Sequence, residues 1–231
     1  MTHTGEEARR SLLLRARERL RFGLATQETI DGLARLGLLF YPYSVVEEPF
    51  RPNPGLAATL QRYALRRLVA DDAPRVAGLP CRILDVETTR RRLDDGICFG
   101  LFDGTRLLGY TWARLDRIGA AGHAADAIGA LPPDSAYLHD AYVARAARGL
   151  QLAPALRHGV HAALAARGCR RFFSITAQFN ASSRRFKRKL GAEEFELRMA
   201  IGRPKGLAAD LLLWRRERRA PLPRFQWLRP P

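Results

Sequence analysis

Along residues 194–201 apolar and polar positions alternate. Phe195, Leu197, Met199 and Ile201 fall on one side and Glu196 and Arg198 on the other, the two-residue period of a half-buried strand. Shorter apolar runs at 64–68, 97–102, 106–115, 136–143 and 171–176 predict further strands, and Asp103-Gly104 predicts a hairpin turn between the second and third. Between them the period lengthens. Leu152, Leu156, Val160 and Leu164 mark a helix over 150–167, and Gly191 closes another over 180–190. Acidic residues open a helix at 71–74, and 87–93 reads as one more. The order from residue 63 is strand, two helices, three strands, helix, strand, helix, strand. It predicts a mixed sheet with helices on both faces.

The flanks read differently. Leu12, Leu13, Ala16 and Leu20 predict a basic helix over 6–22, and Ile30, Leu33, Ala34 and Leu38 a second over 26–38 behind an N-cap at Thr26. The proline-rich stretch 41–55 is expected to hold no long regular element, and a boundary is expected near residues 50–60. Residues 117–135, rich in glycine and alanine, read as a mobile loop, and 206–231 as an amphipathic basic stretch with a proline-rich end. The division is a helical N-terminal extension at 1–61, a mixed strand-and-helix domain at 62–202 and a basic tail at 203–231.

Composition narrows the class. The chain has 231 residues and a formal charge of +16, and only three of its 39 basic residues are lysine. Such charge favours anionic partners, although solvated arginines on ordinary faces produce the same balance. Cys81, Cys98 and Cys169 form no C-x-x-C pair, which argues against a zinc or redox motif and fits buried thiols in a reducing compartment. His158 and His161 lie three apart but have no evident third ligand, so no metal is expected. The N-terminus lacks the apolar core of a signal peptide and no run is long enough to span a bilayer, so the expected location is cytoplasmic. No G-x-G-x-x-G follows a strand, and neither a G-x-S-x-G nor a P-loop occurs.

The chemistry concentrates between residues 137 and 191. A strand ending at Val143 feeds an irregular turn and then a helix. Such a turn binds anions, because free backbone N–H groups and the helix dipole point at it. Gly149 permits close approach, and Arg148 adds a fork-shaped cationic donor. Alone, this segment is also compatible with an ordinary strand-to-helix turn. Within YLHDAYV at 137–143, His139 and Asp140 point to opposite faces and are both candidate bases. His139 is favoured, because an imidazole side chain exchanges protons readily near neutral pH.

Three segments together resemble the Gcn5-related N-acetyltransferase (GNAT) superfamily. VARAARGLQLA at 143–153 is similar to its pyrophosphate loop, R/Q-x-x-G-x-G/A. NASSRRFKRKLGA at 180–192 is similar to its N-x-x-A-x-x-F-Y-x-K-L-G-F helix, and LRRLVADDA at 65–73 to its opening strand and helix. The resemblance covers about residues 62–202. It implies an α/β (α+β) fold with a mixed, mostly antiparallel central sheet flanked by helices, and direct transfer of an acetyl or longer acyl group from acyl-coenzyme A to an amine. Tyr142, Val143, Arg148, Gly149, Leu150, Gln151, Leu152, Ala153, Asn180, Ser183 and Phe186 would hold the donor. His139, Asp140 and Lys187 would carry the chemistry. Two positions depart from the pattern. Gln151 replaces the central glycine, and Lys187 stands where the family often has a general-acid tyrosine.

The implied acceptor is a small-molecule or protein amine, recognised by variable segments. An alternative is a catalytically weakened module of the same fold whose basic face binds nucleic acid or an anionic membrane surface. Apolar residues of the N-terminal arm, Leu38 to Tyr41, are expected to pack either against the main domain or against a second subunit of a homodimer.

Overall fold

The computed structural model describes residues 29, 32–33, 39–79, 85–118, 129–203 and 206–215. The helix expected at 6–22 lies outside them, and that at 26–38 does so except for Thr29, Gly32 and Leu33, which are helical.

The elements follow in the order β1 (Leu39–Glu48), α1 (Pro54–Gln61), β2 (Ala64–Arg67), a 3-10 turn (Ala70–Asp72), α2 (Ala73–Ala77), α3 (Val86–Asp95), β3 (Ile97–Asp103), β4 (Arg106–Arg114), the short pair β5 (Arg117–Ile118) and β6 (Gly129–Ala130), β7 (Ser135–Val143), a 3-10 turn (Arg145–Ala147), α4 (Leu152–Ala165), β8 (Arg171–Ala177), α5 (Ala181–Lys189), β9 (Glu193–Arg203) and β10 (Gly206–Arg215). Local signals account for many of the ends. Asn53, followed by Pro54 at the first helical position, caps α1. Asp85 caps α3 through the Thr88 N–H at 2.7 Å. Gly104, at φ +54°, turns β3 into β4.

Eight strands form one sheet in the order β10-β9-β1-β8-β7-β4-β3-β2. All of its neighbours are antiparallel except β7 and β8. This is the expected mixed, mostly antiparallel sheet with flanking helices.

The expectation for residues 41–55 is overturned. β1 is ten residues long and lies in the interior of the sheet, between β8 and β9. The stretch 1–61 is therefore not a purely helical extension. Pro42 is tolerated for a specific reason. Its carbonyl accepts from the Gln178 N–H, just past the last residue of β8, so its missing N–H faces that same end and breaks no ladder bond. Two other expectations change. Residues 206–215 of the supposed tail are the edge strand β10, and β5 with β6 brackets the supposed loop. In β9 the side expected to face solvent is buried: Glu196 and Arg198 are enclosed, with side-chain atoms 3.5 Å apart. A register shift opposite Val45 and Val46 places Phe195 in the core as well.

Register partners share a face of a sheet. Glu48 on β1 meets Arg157 and His161 of α4 and Lys187 of α5, so α4 and α5 cover one face. Arg92 of α3 stacks 4.4 Å over Trp112, whose register partner is His139, and this places α3 on the other face. The main core gathers residues such as Leu101, Tyr110, Leu138, Leu156 and Phe172. A second cluster of Tyr43, Val45, Phe173 and Phe195 lies beneath Ile118 and Leu131.

Candidate active site

β7 and β8 pair only through Ser135, Ala136 and Tyr137, opposite Arg171, Phe172 and Phe173. Beyond Tyr137 they diverge, and two features of β7 accompany the divergence. Tyr110 faces Tyr142 and Trp112 faces His139, so Thr111 opposes two residues, Asp140 and Ala141. Asp140 takes up the extra length at φ +46°, while the Thr111 hydroxyl donates to the His139 carbonyl at 3.2 Å. The wedge between the strands is a cleft of about 750 Å3.

His139, Asp140, Tyr142, Val143, Arg148, Ala153, Asn180, Ser183, Phe186 and Lys187 all line this cleft. They come from β7, the turn after it, the first turn of α4, and α5 with its cap, so one opening unites segments 48 positions apart. Gly149, Leu150, Gln151 and Leu152 are not among its lining. The Leu150 side chain is exposed, and that of Leu152 is buried in the core, so side-chain contact is not their part. Leu152 and Ala153 still open α4, where first-turn N–H groups have no intrahelical acceptor. Gly149 has φ +89° and Gln151 φ +59°, so Gln151 keeps the left-handed backbone that the glycine of the resembled motif allows. The Arg148 Nε donates to the Val143 carbonyl at 3.2 Å, fixing the guanidinium at the mouth. Asn180 caps α5 by accepting from the Ser183 N–H at 2.9 Å.

The two candidate bases differ in setting. The Asp140 carboxylate lies 3.2 Å from the Arg92 guanidinium. The His139 ring is stacked on Tyr137, with centroids 5.3 Å apart and planes 8° apart. His139 shares a face with Trp112 and Tyr137, opposite to that of Lys187. The cleft therefore passes through the sheet, with Lys187 at one side and His139 at the other.

The floor on the α4–α5 side is a buried ionic cluster that sequence reasoning missed. The Lys187 ammonium donates to the Glu48 carboxylate and to the Ser174 hydroxyl, and Ser174 donates to Glu48. Arg157 and His161 approach the other Glu48 oxygen at 3.3 Å each. Burial pushes the Glu48 carboxyl up, but Arg157, Lys187 and His161 outweigh it and hold the carboxyl well below the usual range. Burial pushes Lys187 down to about 8, against the pull of Glu48 and with the help of Arg157. His161 is lowered by burial, so the neutral imidazole is its resting form near neutrality. The signal available in the sequence was Glu48 itself, an acid at the end of an apolar run. Nothing local announces its burial. Among the described residues no group of three or more His, Cys, Asp or Glu is disposed to hold a metal ion, and no helix is long and apolar enough to cross a membrane.

Comparison with known proteins bears on the identity of this arrangement. Residues 55–192, more than half of the chain, match the Acetyltransferase (GNAT) family. No curated protein matches. Among solved structures the chain is similar to a Drosophila protein at 12% identity, over 80% of this chain and 59% of that one, with a TM-score of 0.49. It thus spans less than two thirds of that protein's length. It is also similar to a GNAT-family acetyltransferase from Novosphingobium aromaticivorans, described as putative in its own name, at 20% identity over 71% and 65% of the two chains with a TM-score of 0.48. A third is aminoglycoside N-acetyltransferase AAC(6')-Iy in complex with coenzyme A, at 18% identity over 57% and 88% with a TM-score of 0.46. By the match over residues 55–192 the chain belongs to the acetyltransferase (GNAT) family.

Proposed function

We propose that the chain moves an acetyl group, or a somewhat longer acyl group, from acyl-coenzyme A to an amine presented on the α3 face of the sheet. The observation that carries this reading is the cleft between β7 and β8. It has an anion-binding helix start at its mouth and candidate proton-transfer groups on both sides. The donor's pyrophosphate is assigned to Arg148 and the first turn of α4, where N–H groups and the helix dipole favour an anion. Its pantetheine arm pairs with the backbone of Tyr142 and Val143, the stretch of β7 that β8 leaves, as an added strand does.

The reaction follows from that placement. The amine nitrogen attacks the thioester carbonyl from the His139 side, and His139 takes a proton from the attacking nitrogen. Negative charge develops on the carbonyl oxygen, and a backbone N–H of β7 near Val143 stabilises it. The carbon–sulfur bond then breaks, and the departing thiolate takes a proton from Lys187. The products are an amide and the free thiol of coenzyme A. Asp140 forms the bend of β7 together with Arg92.

The test is release of coenzyme A thiol from acetyl-coenzyme A against a panel of small amines, amino sugars and peptide amines. Thiol release that depends on the amine, and falls about 100-fold or more in His139→Ala, is the expected result. Amine-dependent release unaffected by His139→Ala removes His139 from the role of base, and no release with any amine opposes transfer itself.

A further inference from the structure

The cluster beneath the cleft has a feature that a purely structural ion pair does not need. A lysine ammonium has three N–H donors. Those of Lys187 satisfy one Glu48 oxygen and the Ser174 hydroxyl, which leaves one for the cleft that Lys187 lines. Glu48 is held from four sides, by Lys187 on α5, Ser174 on β8, and Arg157 and His161 on α4. It comes from β1, a strand outside the segment that matches the family. Two cations face one carboxylate, so the cluster carries a net positive charge in an enclosed site, and its members are bound to one another far more than to solvent.

We propose that Glu48 is a positioning residue for acyl transfer: its buried carboxylate holds the Lys187 ammonium at the floor of the cleft, with one N–H directed to the departing sulfur. The proposal rests on the reading of Lys187 as proton donor to that sulfur. Glu48 and Arg157 then oppose each other. The carboxylate strengthens the hold of Lys187 on its proton, and the guanidinium weakens it. Glu48 touches neither substrate and exchanges no proton in the reaction.

The opposition gives a test with two signs. The alkaline limb of the kcat–pH profile, which reports loss of the Lys187 proton, should break near pH 8 in the unmodified chain. In Glu48→Gln, which preserves shape and removes charge, the break should move to lower pH, with KM for acetyl-coenzyme A changed less than about twofold because the donor grip is elsewhere. In Arg157→Met the break should move to higher pH. A merely structural cluster would lower thermal stability in both variants and move the break in neither, and that result overturns the proposal. If Glu48→Gln does not fold, Arg157→Met decides alone. Lys187→Met separates the underlying reading. Loss of the alkaline limb in that variant supports Lys187 as the donor, whereas a wild-type profile there overturns that reading and the proposal with it.

Discussion

The Asp140 carboxylate lies 3.2 Å from the Arg92 guanidinium while the Asp140 backbone sits at φ +46°, so the residue that bends β7 is held by a cation from α3. Non-glycine residues seldom adopt this conformation, and Asp and Asn tolerate it best. Asp140→Asn should therefore keep the bend and lose only a partly exposed ion pair, at a cost of about 1 kcal/mol or less. Asp140→Val, β-branched at a left-handed position, should cost about 1–3 kcal/mol more. Urea denaturation of the two variants measures the difference, and equal midpoints would show that the backbone strain is not there.

Gly109 is the second close fit behind the cleft. A Cβ there would come within 2.6 Å of the Tyr142 carbonyl oxygen, a backbone atom that cannot rotate away. Gly109→Ala should push β4 from β7 at the stretch assigned to the donor's arm. The expected result is a loss of about 1–3 kcal/mol in stability together with weaker acetyl-coenzyme A binding. Unchanged binding in a destabilised variant would detach Tyr142 from the donor site.

Gln151 carries a glycine-like backbone without being glycine. Gln151→Gly should relieve the left-handed strain and bring a net gain of up to about 1 kcal/mol, read as a higher melting temperature. Acetyl-coenzyme A affinity should be no weaker than in the unmodified chain. A clear loss of affinity would mean that the Gln151 side chain itself grips the donor.

The buried cluster sets a pH dependence of stability. Glu48 has a folded pKa held below its unfolded value of 4.5, so its contribution is present above about pH 4.5 and is lost as the pH falls toward the folded value. His161 is also lowered, from 6.5; the unfolded chain binds its proton more readily, so stability declines as the pH falls below that value. Lys187, at about 8 in the folded chain against 10.5, adds stability as the pH rises between those values. Urea midpoints from about pH 3 to about pH 10 should show all three trends. In Glu48→Gln the decline below pH 4.5 should be shallower than in the unmodified chain. Parallel curves for the two proteins would show that Glu48 stays protonated or exposed in the fold.

Much of this architecture was legible because local chemistry agreed with the fold. The β3–β4 turn at Asp103-Gly104, the core face of α4, the N-cap at Asn180 and the strand through His139 each follow from signals within a few residues, and the three family-like segments supplied their order. What was not legible depends on partners distant in sequence. Glu48 is buried because two helices supply opposite charges, and Glu196 and Arg198 are enclosed beside each other on β9, neither of which alternation can reveal. Pro42 argued against a strand, yet its missing donor falls where β8 ends. Residues 117–118 and 129–130 pair with each other in too short a ladder to leave a pattern.

Acyl-coenzyme A is assigned to the mouth of the β7–β8 cleft. The most direct measurement is a calorimetric titration of acetyl-coenzyme A and longer acyl-coenzyme A species into the protein and into Arg148→Ala. Micromolar binding that weakens about tenfold or more in the variant, a loss of about 1.4 kcal/mol or more, is the predicted result, and the preferred chain length would define the acyl group. Absence of binding by every acyl-coenzyme A, or binding indifferent to Arg148→Ala, would contradict it.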